Sequence, residues 1–196
     1  MLWLLSAFPW VLVIAFLAGA LVLSIVASKA GRHWAIAPVA LLIALAIVAP
    51  LVNEFAEAPH PVFTVTVIVL LVTIGVVGGS PFVIAILELA GSDKDALGEH
   101  GGILVTDTGS KKAPREILRG GATIGYLERL FMMGAALIGQ FAAVAIVVAV
   151  KGLGRFNELE NAAARERFII GTLASIVWAG ACVAPALIGW SVALVP

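Results

Sequence analysis

Between Gly120 and Ser175 the chain carries two long apolar runs whose ionisable residues are confined to the ends, in Gly125-Tyr126-Leu127-Glu128-Arg129, in the segment from Lys151 to Glu160, and in Arg165-Glu166-Arg167-Phe168. A backbone surrounded by hydrocarbon must pair its N–H and C=O groups within itself, so apolar runs of this length fold as helices. The rest of the chain follows the same rule. Hydrophobic residues make up 62% and charged residues 12% of the 196, where a soluble domain carries roughly 25% charged. The reading is an all-α, polytopic integral membrane protein. Its formal net charge is zero and its charges gather in connections, which excludes a basic nucleic-acid surface and an acidic solvating arm. The expected partners are membrane lipids and either a second copy or another membrane protein. Cys182 is the single cysteine, so an intramolecular disulfide is excluded and the residue reads as packing.

About 20 apolar residues cross the hydrocarbon core, each adding 1.5 Å of rise. Five segments qualify: Trp3 to Ala27, Trp34 to Val52, Val62 to Ala90, Ala122 to Val150 and Phe168 to Val195. The first lacks a basic leader, and its apolar run is too long for a signal sequence, so it reads as a retained span. The third is over-long and interrupted by Gly78-Gly79-Ser80-Pro81, where glycine loosens the helix and proline removes a donor, so a kink is expected there. Gly75 and Gly79 offer a close helix contact. Residues 1–91 then hold three spans, 92–121 a hydrophilic loop, and 122–196 a C-terminal hairpin of two spans. Within the loop, Ile103 to Thr106 is a short β-type run followed by a turn from Asp107 to Ser110, consistent with a small hairpin. There is no internal repeat and no low-complexity tract.

Loop charge sets orientation. Lys29 and Arg32 follow the first span, and Lys94, Lys111, Lys112, Arg115 and Arg119 follow the third, while Asn53 to Pro61 holds only acids. The positive-inside rule then gives an outside N-terminus and, with five spans, a cytoplasmic C-terminus. That solution leaves Lys151, Arg155, Arg165 and Arg167 on the outer side, against the same rule.

Arg129, Gln140 and Lys151 are spaced by eleven residues, which returns to nearly the same azimuth on one helix. A polar stripe of this kind lines a path for ions or substrate, or simply places Arg129 and Lys151 at opposite interfaces with Gln140 bonding between helices. Ala135, Gly139 and Ala143 form a small-residue ridge on the fourth span, and Gly171, Ser175 and Ala179 another on the fifth, so the two are expected to pack closely. Glu88 ends the third span near the start of the fourth, which makes a Glu88–Arg129 ion pair the expectation. Glu128 and Glu88 are the candidates for a proton-carrying carboxylate.

No catalytic or metal constellation emerges. Leu104 to Ser110 matches a hydrophobic-Asp-Thr-Gly pattern, but a two-aspartate site needs a β-rich scaffold on both sides, and membrane helices flank this loop. His33, His60 and His100 fall in three loops without ligand spacing, and Asp93 and Asp95 read as a solvated face. No cofactor is implied.

The run Gly120 to Arg129, then Gly139-Gln140, Lys151-Gly-Leu-Gly-Arg155-Phe156-Asn-Glu158-Leu, and Arg167-Phe-Ile-Ile-Gly171-Thr-Leu-Ala-Ser175 resembles the C-terminal membrane block of a family of uncharacterised bacterial membrane proteins carrying a domain of unknown function. The resemblance implies a bacterial inner-membrane location and one structural or functional unit of Glu128, Arg129, Gln140, Lys151, Arg155, Phe156, Glu158 and Gly171. It implies no activity. The expectation is a non-enzymatic bundle acting as an accessory or scaffold subunit, with a small transporter or channel component and an anionic-lipid headgroup-binding protein as the alternatives.

Overall fold

A computed structural model of the chain describes residues 2–52, 58–91, 103–105, 115–117, 121–154 and 162–194. These form α1 (Leu2–Lys29), a single 3-10 turn (His33–Ile36), α2 (Ala37–Val52), α3 (Pro61–Leu89), a two-stranded antiparallel pair β1 (Ile103–Val105) and β2 (Arg115–Ile117), α4 (Gly121–Leu137), α5 (Phe141–Gly154) and α6 (Ala162–Leu194). Among the described residues three helices are long and apolar enough to cross a membrane, over Ser6–Lys29, Pro61–Leu89 and Arg165–Ile188. The chain is thus a helical bundle compatible with a membrane location. In the hydrophilic segment Ile103 pairs with Ile117 and Val105 with Arg115; the turn read at Asp107 to Ser110 lies outside the described residues.

Polarity is distributed as lipid solvation requires. Phe8, Phe16, Leu41, Val65, Phe141 and Leu173 are exposed, whereas Arg129, Ser24 and Ser175 are buried. The interior holds Val39, Ile43, Leu71, Ile74, Met133, Trp178 and Cys182. With hydrocarbon outside, close contact rather than water exclusion holds the helices together, and small residues permit it.

α3 is the centre of the bundle, with α1, α4 and α6 packed against it. It starts with Pro61 in the first turn, and His60 Nδ1 accepts from Val62 N at 3.3 Å as its cap. It runs on as one helix through Gly78-Gly79-Ser80-Pro81 to Leu89. α6 lies antiparallel to it: Gly171 faces Val83, Trp178 faces Gly78, and Cys182 faces Gly75. α1 sets Ser24 against Gly78, and Ile36 of the 3-10 turn reaches the same glycine. From that level α2 has to run back toward Pro61, because the 16-residue helix rises about 24 Å and the short connection to α3 extends only about 3.5 Å per residue.

The expected fourth span is not one helix. α4 ends at Leu137 and α5 starts at Phe141, with Gly139 between them at φ 74°. Gln140 N donates to Ala135 O at 2.7 Å and Gly139 N to Ala136 O at 3.0 Å. This is the Schellman pattern, with glycine in the left-handed position that ends a helix. The two helices fold back on each other as an antiparallel hairpin, since Lys151 Nζ lies 2.5 Å from Glu128 Oε2; on a continuous helix those residues would be about 35 Å apart. Length alone does not force the break, since α3 runs unbroken over 29 residues. Glycine at 139 takes the left-handed position that the turn needs, and the Lys151–Glu128 pair closes the hairpin.

Gly139→Ala places a Cβ in the left-handed region and is expected to destabilise by about 1–2 kcal/mol. Gly134→Ala, in a helical position with open space around it, is expected to be neutral or stabilising by up to about 1 kcal/mol. Thermal unfolding of both variants in detergent checks the pair.

Candidate functional site

The bundle centres on Arg129, which is 2% exposed although it carries a full charge. α4 enters the bundle antiparallel to α3, placing Arg129 at Gly79 and Met133, one turn on, at Gly75. Arg129 Nε and Nη2 both donate to Val76 O, at 3.1 and 2.9 Å. Nη2 also donates to Ser80 Oγ at 3.0 Å, and Nη1 to Ser175 Oγ at 3.4 Å. The Arg129 guanidinium carbon stands 5.2 Å from the Tyr126 ring centroid, within cation–π range. One planar guanidinium therefore joins α4 to α3 and α6, using the fixed fork of donors that arginine has and lysine lacks.

The backbone of α3 admits this group because position 79 has no side chain. A methyl there would lie 2.5 Å from Arg129 Cδ and 2.7 Å from Cζ, closer than atoms can approach. Gly75 and Gly78 make similar room for Met133 and Trp178. Trp178, 2% exposed, donates Nε1–H to Gly75 O at 3.1 Å and stacks on Phe82 at 4.8 Å. Two side chains thus anchor on adjacent carbonyls of α3, at Gly75 and Val76. A main-chain carbonyl has a second lone pair available after its helical bond.

Beside this lies the Lys151–Glu128 ion pair, with the two side chains 18% and 12% exposed. Lys151 Nζ also sits 5.8 Å from the Phe168 ring centroid on α6. Glu128, Lys151, Met132, Val147, Thr172 and Ser175 line a cavity of about 10 Å³ between α4, α5 and α6.

The expected polar stripe is not formed. Arg129 is buried on α4, Gln140 is exposed at the hairpin turn, and Lys151 on α5 has folded back beside Glu128. The reason is the helix end at Leu137, which removes the common azimuth of the three residues. The Glu88–Arg129 pair is also replaced. Arg129 bonds at Val76 and Ser80, and Glu88 lies about 12 Å of helix rise beyond Ser80. Ala135 is buried on α4, whereas Gly139 forms the turn and Ala143 belongs to α5, so the three do not make one ridge. Ser175 and Ala179 are buried on α6, and Gly171 is half-buried against Val83. Arg155 and Glu158 lie outside the described residues.

Tyr126, Thr172 and Trp178 were not singled out from the sequence, and Ser80 entered only as part of a helix interruption. Trp178 carried a readable signal. Indole rings in membrane proteins concentrate at the interfaces, so one in the middle of an apolar run implies a partner for its N–H. Among the described residues no three His, Cys, Asp or Glu side chains converge as metal ligands. No protein-family model, curated protein or solved structure matches the chain.

Gly79→Ala is expected to destabilise by about 1–3 kcal/mol through overpacking against Arg129. In an Arg129→Ala background the same substitution is expected to cost much less, and a double-mutant cycle of unfolding in detergent measures that coupling.

Proposed function

We propose that this chain is a multi-pass bacterial inner-membrane protein that works as a non-enzymatic helical bundle, an accessory or scaffold subunit for a second copy or another membrane protein. The observation that carries the reading is Arg129. Its donors face acceptors of the bundle itself, Val76 O, Ser80 and Ser175, so the charge serves cohesion rather than a ligand. The bacterial location rests on the resemblance of the C-terminal block.

Our topology has four crossings, α1, α2, α3 and α6, with α4–α5 as a re-entrant hairpin that enters and leaves from the face where α3 ends. α2 and the 3-10 turn together rise about 32 Å, enough for the hydrocarbon core. Apart from buried Arg129, every Lys and Arg then belongs to helix ends or connections on one face, and the other face carries the acidic connection with Glu54 and Glu57. The conflict posed by five spans disappears. By the positive-inside rule the basic face is cytoplasmic, and both termini are outside.

A transporter or channel component is the second reading, favoured by the hairpin turn at mid-bundle. The basic face also suits anionic headgroups, which keeps lipid among the partners.

Single cysteines at Ser110, Gln140 and Asn161 in a Cys182→Ser background test these readings in intact vesicles. Ser110 and Asn161 are expected to label from the same side with an impermeant reagent; opposite sides would restore a fifth crossing. A sealed Gln140 position is expected for the scaffold. Its labelling from water would favour the transporter.

A further inference from the structure

The cavity of about 10 Å³ between α4, α5 and α6 is lined by two charged residues and two hydroxyl residues, Glu128, Lys151, Thr172 and Ser175. Thr172 Oγ1 is buried and has no hydrogen-bond partner, although threonine hydroxyls on α3 close onto their own helix, Thr66 to Val62 O and Thr73 to Val69 O at 2.7 Å. A buried hydroxyl left unpaired costs free energy, so the departure of Thr172 from that habit marks a place where another partner is supplied. Ser175 Oγ receives Arg129 Nη1 at 3.4 Å and retains a proton of its own to donate. Glu128 retains acceptor capacity beyond its bond to Lys151.

We propose that this cavity is a hydration site for one water molecule, bridging Thr172 to the Glu128–Lys151 pair and to Ser175. The volume is that of a single water, and the available partners lie within the two to four that such a water uses. Charge argues against a metal cation, because Lys151 and Arg129 outnumber Glu128 around the site. The bridge completes a hydrogen-bonded chain from the Lys151–Glu128 pair through water and Ser175 to Arg129 and then Ser80. Polar contact thereby extends from the cytoplasmic side of the hairpin to the bundle centre, and it holds whether the protein is a scaffold or a transporter.

Two neighbouring methionines provide the test. Met132 lines the cavity, whereas Met133 packs at Gly75, and they are 5% and 1% exposed. X-ray hydroxyl-radical footprinting generates the oxidant from resident water, so the wild-type protein is expected to oxidise Met132 several-fold faster than Met133. Thr172→Val is expected to abolish most of that difference. The same variant is expected to lower Tm by about 2–4 °C, as loss of one bridged hydrogen bond does in a chain of this size, while Thr172→Ser stays near wild type. Equal oxidation of the two methionines, or a Thr172→Val protein as stable as wild type or more so, would overturn the proposal.

Discussion

A guanidinium inside a membrane bundle sets conditions that the surrounding structure has to meet. Placing an arginine at the centre of a single helix in lipid costs roughly 2.5–3.5 kcal/mol on insertion scales, and each hydrogen bond to a charged group returns about 1.5–3 kcal/mol. Arg129 is therefore stable only where several acceptors converge, and these come from two other helices: Val76 and Ser80 on α3, Ser175 on α6. The geometry then demands glycine at 79, because the Arg129 side chain passes over the α3 backbone where a Cβ would sit. Met133 and Trp178 take the neighbouring depressions at Gly75 and Gly78. The glycines are thus the surface against which α4 and α6 are positioned, and the arginine fixes their register.

This arrangement puts specificity in polar contacts and bulk cohesion in close packing. The lipid-facing residues are apolar and largely interchangeable in chemistry. By contrast, Arg129 and Trp178 each donate to one particular carbonyl, and a shift of α4 or α6 by one residue would rotate those donors away. A bundle held in a single register presents one defined surface, which the proposed scaffold role would require.

Much of the architecture was legible in the sequence because the bilayer leaves few options. The apolar runs read from Trp3 to Ala27, Val62 to Ala90 and Phe168 to Val195 appear as long helices over Ser6–Lys29, Pro61–Leu89 and Arg165–Ile188, and the β-type run beginning at Ile103 pairs as a strand. The interior breaks were harder to place. At Gly78-Gly79-Ser80-Pro81, where a kink was expected, α3 continues as a helix: proline removes one helical donor, while Arg129 and Trp178 bind at the nearby carbonyls of Val76 and Gly75. The break falls at Gly139, where a lone glycine inside an apolar run resembled a packing position. The available clue was Glu128 and Lys151, whose opposite charges at the two ends of the run meet only if it folds back. Arg129 was readable as important; its partners were not, because they belong to helices distant in sequence.

The hairpin also bears on how the protein is built. α4 and α5 have 17 and 14 residues, each shorter than the roughly 20 needed to cross on its own. Neither is suited to be threaded alone as a span, and α4 carries Arg129, whose acceptors must already be in the bilayer. In the proposed re-entrant topology the Gly139 turn closes its own backbone bonds, so the two halves would enter together from one side, and α3, which supplies Val76 and Ser80 to Arg129, would have to be in place to receive them. The final helix, bringing Ser175 and Trp178, closes the bundle over a charge that would otherwise be stranded.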